Sequence, residues 1–199
     1  MRKSLEFFFD VGSPAAYLAW TQLPSICSGA AGSAVVYQPM LLGGVFQATG
    51  NQSPMTVPAK GRYMVGDLER HARRYQVPFN HNPHFPINTL TLMRAATAVQ
   101  MGQPERFADY VDAVFRAIWV NRLDMNDPQV VATVLQAAGF DPTALLAQAS
   151  EPRVKDRLKQ VTQDAVARGV FGAPTFFIDG QMFWGQDRLD FVERRLARG

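Results

Sequence analysis

The stretch LEFFFDVGSPAAYLAW, residues 5–20, decides the fold. Leu5-Glu6-Phe7-Phe8-Phe9 is an apolar run of strand length that stops at Asp10. Gly12-Ser13-Pro14 then turns the chain. Pro14 suits the first turn of a helix, because the N–H it lacks is one that no intrahelical carbonyl would have used. The apolar spacing predicts a helix over 14–26, and a Val- and Tyr-rich strand follows over 34–40. The chain therefore opens with a β-α-β unit. Ser13 falls where strand hands over to helix, beside backbone N–H groups without partners, where proteins hold anions. Its hydroxyl reads two compatible ways, as a helix cap and as a donor to such an anion.

The rest of the chain narrows the choice of anion. At 199 residues it suits one globular domain, or a small domain carrying an insertion. Its 47% hydrophobic and 19% charged residues are ordinary for a soluble protein, and the apolar runs are too short to span a bilayer. Met1-Arg2-Lys3 leads straight into strand-like sequence without a cleavage site, so the expected compartment is the cytoplasm. A single cysteine, Cys27, excludes an internal disulfide and a cysteine metal cluster, and is read as apolar filler. The net charge of +3 is scattered, not gathered with interleaved aromatics, which argues against nucleic acid and for a small carboxylate-bearing ligand.

Turn formers crowd residues 43–58, GGVFQATGNQSPMTVP, which read as a loop. Helical periodicity then predicts helices over 61–75, 89–101, 104–120, 128–138, 142–150 and 154–168. From Gly169 the pattern becomes strand, Asp179-Gly180 turn, short strand and amphipathic helix. A β-α-β start and a β-β-α end imply one sheet built from both ends of the chain. The expected fold is an α/β thioredoxin-like domain, residues 1–46 and 167–199, with an all-helical insertion over 47–166. In that fold the redox dithiol sits at the start of the first helix, which here reads Ser13-Pro14-Ala15-Ala16. Dithiol exchange cannot run from these positions, so any sulfur must come from a bound thiol, held as thiolate by Ser13 and the helix N-terminus.

Four motifs, FFFDVGSPAAYLA, TGNQSP…PAKGRYMVGDLERHARRY, VFGAPTFFIDG and FWGQDRLDFVERRL, span nearly the whole chain. Through them the sequence resembles the glutathione-dependent 2-hydroxychromene-2-carboxylate isomerases and the related kappa-class glutathione transferases. The resemblance implies glutathione as cofactor, with Ser13 as the catalytic serine that hydrogen-bonds its sulfur. It implies a cis bond at Ala173-Pro174, where the Ala173 backbone pairs with the cysteine of glutathione. Trp184 and Gly185 belong to the same motif as Gln186 and Asp187, which resemble the pair holding the γ-glutamyl end. Serine often stands in kappa-class members where this chain has Gln186. Asn51 and Lys60 look like polar residues over the glutathione or substrate site, with Lys60 attracting a carboxylate.

No metal is expected: His81 and His84 lie in a loop with no clear carboxylate or cysteine partner. Tyr17, Trp20, Phe46, Tyr63, Phe171 and Trp184 read as core or pocket wall, and Arg70, Arg73 and Arg74 as a solvated or subunit-facing helix surface. The implied reaction converts 2-hydroxychromene-2-carboxylate to trans-o-hydroxybenzylidenepyruvate in naphthalene-type aromatic catabolism, by transient addition of the glutathione thiolate to a small aromatic carboxylate. A homodimer is implied as well. Two other readings stay open: a kappa-class transferase or peroxidase, and a non-catalytic thioredoxin-like binding module.

Overall fold

The computed structural model describes residues 4–29 and 33–197. Met1-Arg2-Lys3 and the outer ends of the expected thioredoxin-like unit lie outside them. In chain order the elements are β1 (Ser4–Phe9), α1 (Pro14–Gly29), β2 (Ala34–Pro39), α2 (Leu42–Thr49), α3 (Pro58–Tyr75), α4 (Leu90–Gly102) and α5 (Phe107–Trp119). There follow α6 (Pro128–Ala137), α7 (Pro142–Ala149), α8 (Pro152–Ala167), β3 (Thr175–Ile178), β4 (Gln181–Trp184) and α9 (Leu189–Ala197). The sheet order is β2-β1-β3-β4, with β1 parallel to β2 and antiparallel to β3, and β3 antiparallel to β4. The two ends of the chain thus share one sheet.

β1 reads as an unbroken apolar run because both of its faces are covered. Leu5, Phe7 and Phe9 enter the larger core with Trp20, Phe115 and Phe176. Phe8 points the other way, into a smaller cluster with Met40, Val45, Val161 and Phe177 under α2 and α8. At the sheet end of that cluster Arg168 lies over the Phe177 ring at 3.8 Å and clamps Glu6 with two bonds of 2.7 Å. That paired, ring-stacked setting is one a guanidinium fills better than an ammonium.

Three expectations need correction. Residues 43–58 are not a loop: they hold most of α2, a 3-10 turn at Pro54–Thr56 and the first residue of α3. Turn formers misled because the start of α2 is satisfied from a distance. The Asp10 carboxylate accepts from Leu42 N at 2.8 Å, and the Thr162 hydroxyl accepts from Leu41 N at 3.0 Å. Tyr63 is not core either, being 64% exposed on α3 beneath the Arg70 guanidinium. His84 does find a carboxylate, Asp124 at 3.5 Å, contributed from far along the chain.

Candidate active site

The site is assembled where β1 gives way to α1. Asp10 is fully buried, and its carboxylate accepts from Gly12 N at 2.9 Å, Leu42 N at 2.8 Å and the Thr89 hydroxyl at 3.0 Å. Its carbonyl accepts from Ser13 N at 3.0 Å, closing the turn. The next residue is fixed from both sides: Val11 N donates to the Met93 thioether at 3.4 Å, and the Trp119 indole donates to Val11 O at 2.8 Å. Burial pushes the Asp10 carboxyl above its ordinary value, against the pull of its three donors.

Ser13 is 5% exposed and acts as the expected helix cap. Its Oγ accepts from Ala16 N at 3.2 Å, as a helix cap does, and donates to Ala173 O at 3.1 Å. The Ala173–Pro174 bond is cis, as expected; a second cis bond, Phe85–Pro86, was not anticipated. Pro174 O in turn accepts from Gly185 N at 3.0 Å, which ties the cis-proline loop to the turn after β4.

Gly185 has φ 97°, and a Cβ there would lie 2.5 Å from Asp187 Oδ1, so only glycine lets the chain fold back over Asp187. Asp187 forms an ion pair with Arg188 at the surface. Gln186 is only 6% exposed, and its side-chain amide makes no hydrogen bond to a described residue. Its carbonyl accepts from the Tyr75 hydroxyl at 2.6 Å, a phenol whose pKa burial raises, so it stays a proton donor. Trp184, 41% exposed, leans on Phe171 at 5.0 Å between centroids. Its indole covers Gly172, where a Cβ would meet Nε1 at 2.7 Å.

Ser13, Ala173, Pro174, Trp184, Gly185, Gln186 and Asp187 therefore converge. Asn51 joins them indirectly: its amide donates to Phe171 O at 2.8 Å, steadying the segment that leads into the cis-proline loop. Lys60 stands exposed on the first turn of α3, not in a loop, and bonds to none of the others. Asp10 was not singled out as a site residue, and its only sequence signal is a carboxylate ending an apolar strand. A groove of about 500 Å³ lined by Trp20, Tyr37, Asp109 and Asp112 shares no residue with this constellation. Among the described residues no three His, Cys, Asp or Glu side chains gather as a metal site, and no single helix is long and apolar enough to cross a membrane.

The family model for the DSBA-like thioredoxin domain matches residues 4–197. Over 198 residues the chain is 34% identical to 2-hydroxychromene-2-carboxylate isomerase of Sphingobium xenophagum, covering 98% of this chain and 99% of the relative. It is 29% identical to glutathione S-transferase kappa 1 of Homo sapiens, over 98% of this chain and 91% of that one. A solved 2-hydroxychromene-2-carboxylate isomerase superposes with a TM-score of 0.87 at 29% identity, covering 98% of this chain and 95% of that structure. With a serine in the place of the redox cysteines and a DSBA-like frame around it, the chain belongs to the 2-hydroxychromene-2-carboxylate isomerase family of enzymes.

Proposed function

We propose that this protein is a glutathione-dependent isomerase that interconverts 2-hydroxychromene-2-carboxylate and trans-o-hydroxybenzylidenepyruvate in naphthalene-type catabolism. The observation that carries the reading is the buried Ser13 hydroxyl, capping α1 and facing the carbonyl before cis-Pro174. The residues present fit the tripeptide. Gln186 is a polar residue only 6% exposed whose side-chain amide bonds to no described residue, and the neighbouring Asp187 carboxylate suits an ammonium. When bound, glutathione supplies a thiolate that can add reversibly to a conjugated double bond and depart again, freeing rotation about that bond.

The chain's own residues do the rest. Ser13 donates to the sulfur, and the N-terminal end of α1 favours the negative charge there. Burial at 5% exposure strengthens that donor, because little water competes for it. Ala173 offers main-chain pairing, and Asp187 trades its Arg188 partner for the γ-glutamyl ammonium. Asn51 holds the Phe171 carbonyl and so the loop that carries Ala173. Lys60 provides a positive charge for a carboxylate of glutathione or of the aromatic substrate. The reading also takes the protein to be a cytoplasmic homodimer, which light scattering on the purified chain tests.

A kappa-class transferase or peroxidase is the second reading, favoured by the identity to the human kappa protein. Cofactor turnover separates the two. The isomerase changes the absorbance of the chromene carboxylate at constant glutathione and has no activity once glutathione is removed. A transferase consumes glutathione in proportion to product, and full isomerase activity without glutathione would refute the proposal.

A further inference from the structure

We infer that the Ser13 hydroxyl changes partner when its thiol ligand docks, leaving the Ala173 carbonyl for the sulfur while the ligand's own cysteine N–H takes over that carbonyl. The inference rests on the glutathione reading and adds to it a rule for which thiols are activated.

A serine hydroxyl has a single proton to donate. In this structure that proton is committed: Oγ donates to Ala173 O at 3.1 Å while accepting from Ala16 N at 3.2 Å. In this arrangement Ser13 turns lone pairs, not a proton, toward an arriving sulfur, and lone pairs repel a thiolate. The proton must rotate away from Ala173 before Ser13 can stabilise the anion.

Rotation alone is costly. Ser13 is 5% exposed and Ala173 only partly exposed, and no other described residue donates to Ala173 O. The neighbouring carbonyls have their own donors: Gly172 O takes the Thr175 hydroxyl at 2.8 Å, and Pro174 O takes Gly185 N at 3.0 Å. Stripping a shielded carbonyl of its donor forfeits a hydrogen bond that is expensive to leave unmade. An N-acylated cysteine removes the penalty, because its amide N–H sits close to the sulfur-bearing carbon and replaces the hydroxyl on Ala173 O. The exchange conserves hydrogen bonds, and the thiol proton passes to water. The Ala16 bond persists throughout, so the oxygen stays in place and only its O–H turns.

The consequence is selectivity at the level of activation. N-acyl cysteinyl thiols become thiolates in this site, whereas a thiol of similar shape without the N–H leaves the Ser13 proton on Ala173. The test is a pH titration of the thiolate ultraviolet absorbance, with glutathione and with its isosteric ester analogue, in which oxygen replaces the cysteine N–H. Calorimetry establishes that each is bound. The exchange predicts that bound glutathione ionises about one pH unit or more below the analogue, a roughly tenfold difference in thiolate fraction. Equal lowering for both ligands overturns the exchange and leaves the glutathione reading standing. No lowering for glutathione itself overturns both. Should the ester analogue fail to bind, a crystal structure of the glutathione complex decides. Ser13 Oγ within bonding distance of the sulfur, with the ligand N–H on Ala173 O, supports the exchange; Ser13 still bonded to Ala173 O refutes it.

Discussion

Asp10 organises the site without belonging to it. One buried carboxylate takes donors from the turn before α1, from the start of α2 and from Thr89 just ahead of α4. Its raised pKa has a defined consequence for stability. A carboxyl whose folded pKa exceeds its unfolded value contributes stability that is fully present below the ordinary 3.8 and is lost as pH rises through the raised value. Asp10→Asn lacks that titration. The stability of the wild type relative to this variant is therefore expected to fall as pH climbs above 3.8, and urea unfolding across the acid range measures it; a pH-independent difference would contradict the burial argument. Ser13→Ala removes both the cap and the donor. We expect a loss of about 1 kcal/mol in stability from the cap, and a drop in kcat of about a hundredfold or more from the donor. Denaturation and steady-state rates separate the two effects. Ser13 and Pro174 were legible in the sequence because turn chemistry and family motifs are local. The part played by Asp10 was not, since Leu42 and Thr89 lie 32 and 79 residues away.

Among the elements, α6 and α7 carry their own caps in the sequence. Asp127 and Asp141 each precede a proline at the start of a helix and accept from its first N–H groups, at 2.8 Å for Gln129 N and 2.9 Å for Thr143 N. α6 and α7 accordingly begin where sequence places them. α2 has no such signal: Leu41 precedes it without a side-chain cap, and Gly43 and Gly44 look like loop residues. Its first N–H groups are met instead by Asp10 and Thr162, partners that only the packed fold supplies. Thr162→Val tests this dependence. The substitution keeps the shape and leaves Leu41 N without an acceptor, at an expected cost of about 1–3 kcal/mol. Hydrogen exchange should quicken across α2 more than across α6, because α6 carries its own cap; uniform acceleration would show that Thr162 is not the anchor of α2.

At the scale of the whole molecule, the packing joins the two sides of the division expected at 47 and 166, whose boundaries fall inside α2 and α8. Phe115, fully buried on α5, lies 6.0 Å from Phe9 of β1 and 6.0 Å from Trp20 of α1, ring centre to ring centre. Phe107 meets Phe9 at 6.3 Å, edge to face, and the Trp119 indole donates to Val11 O in the turn before α1. The helical segment lays its aromatic rows on the sheet, and one continuous apolar core spans both sides. Sequence periodicity shows that such helices are amphipathic but not which partner each apolar stripe meets, so this sharing was invisible before the fold. It predicts cooperative unfolding. Phe115→Ala should cost about 3–5 kcal/mol, lowering the transition seen by near-ultraviolet and far-ultraviolet circular dichroism together. Saturating glutathione should raise that single transition by mass action, although its proposed contacts fall mainly on the sheet side. Two separated transitions, with only the helical one moved by Phe115→Ala, would mean that the insertion folds on its own and that the shared aromatic core does not couple it to the site.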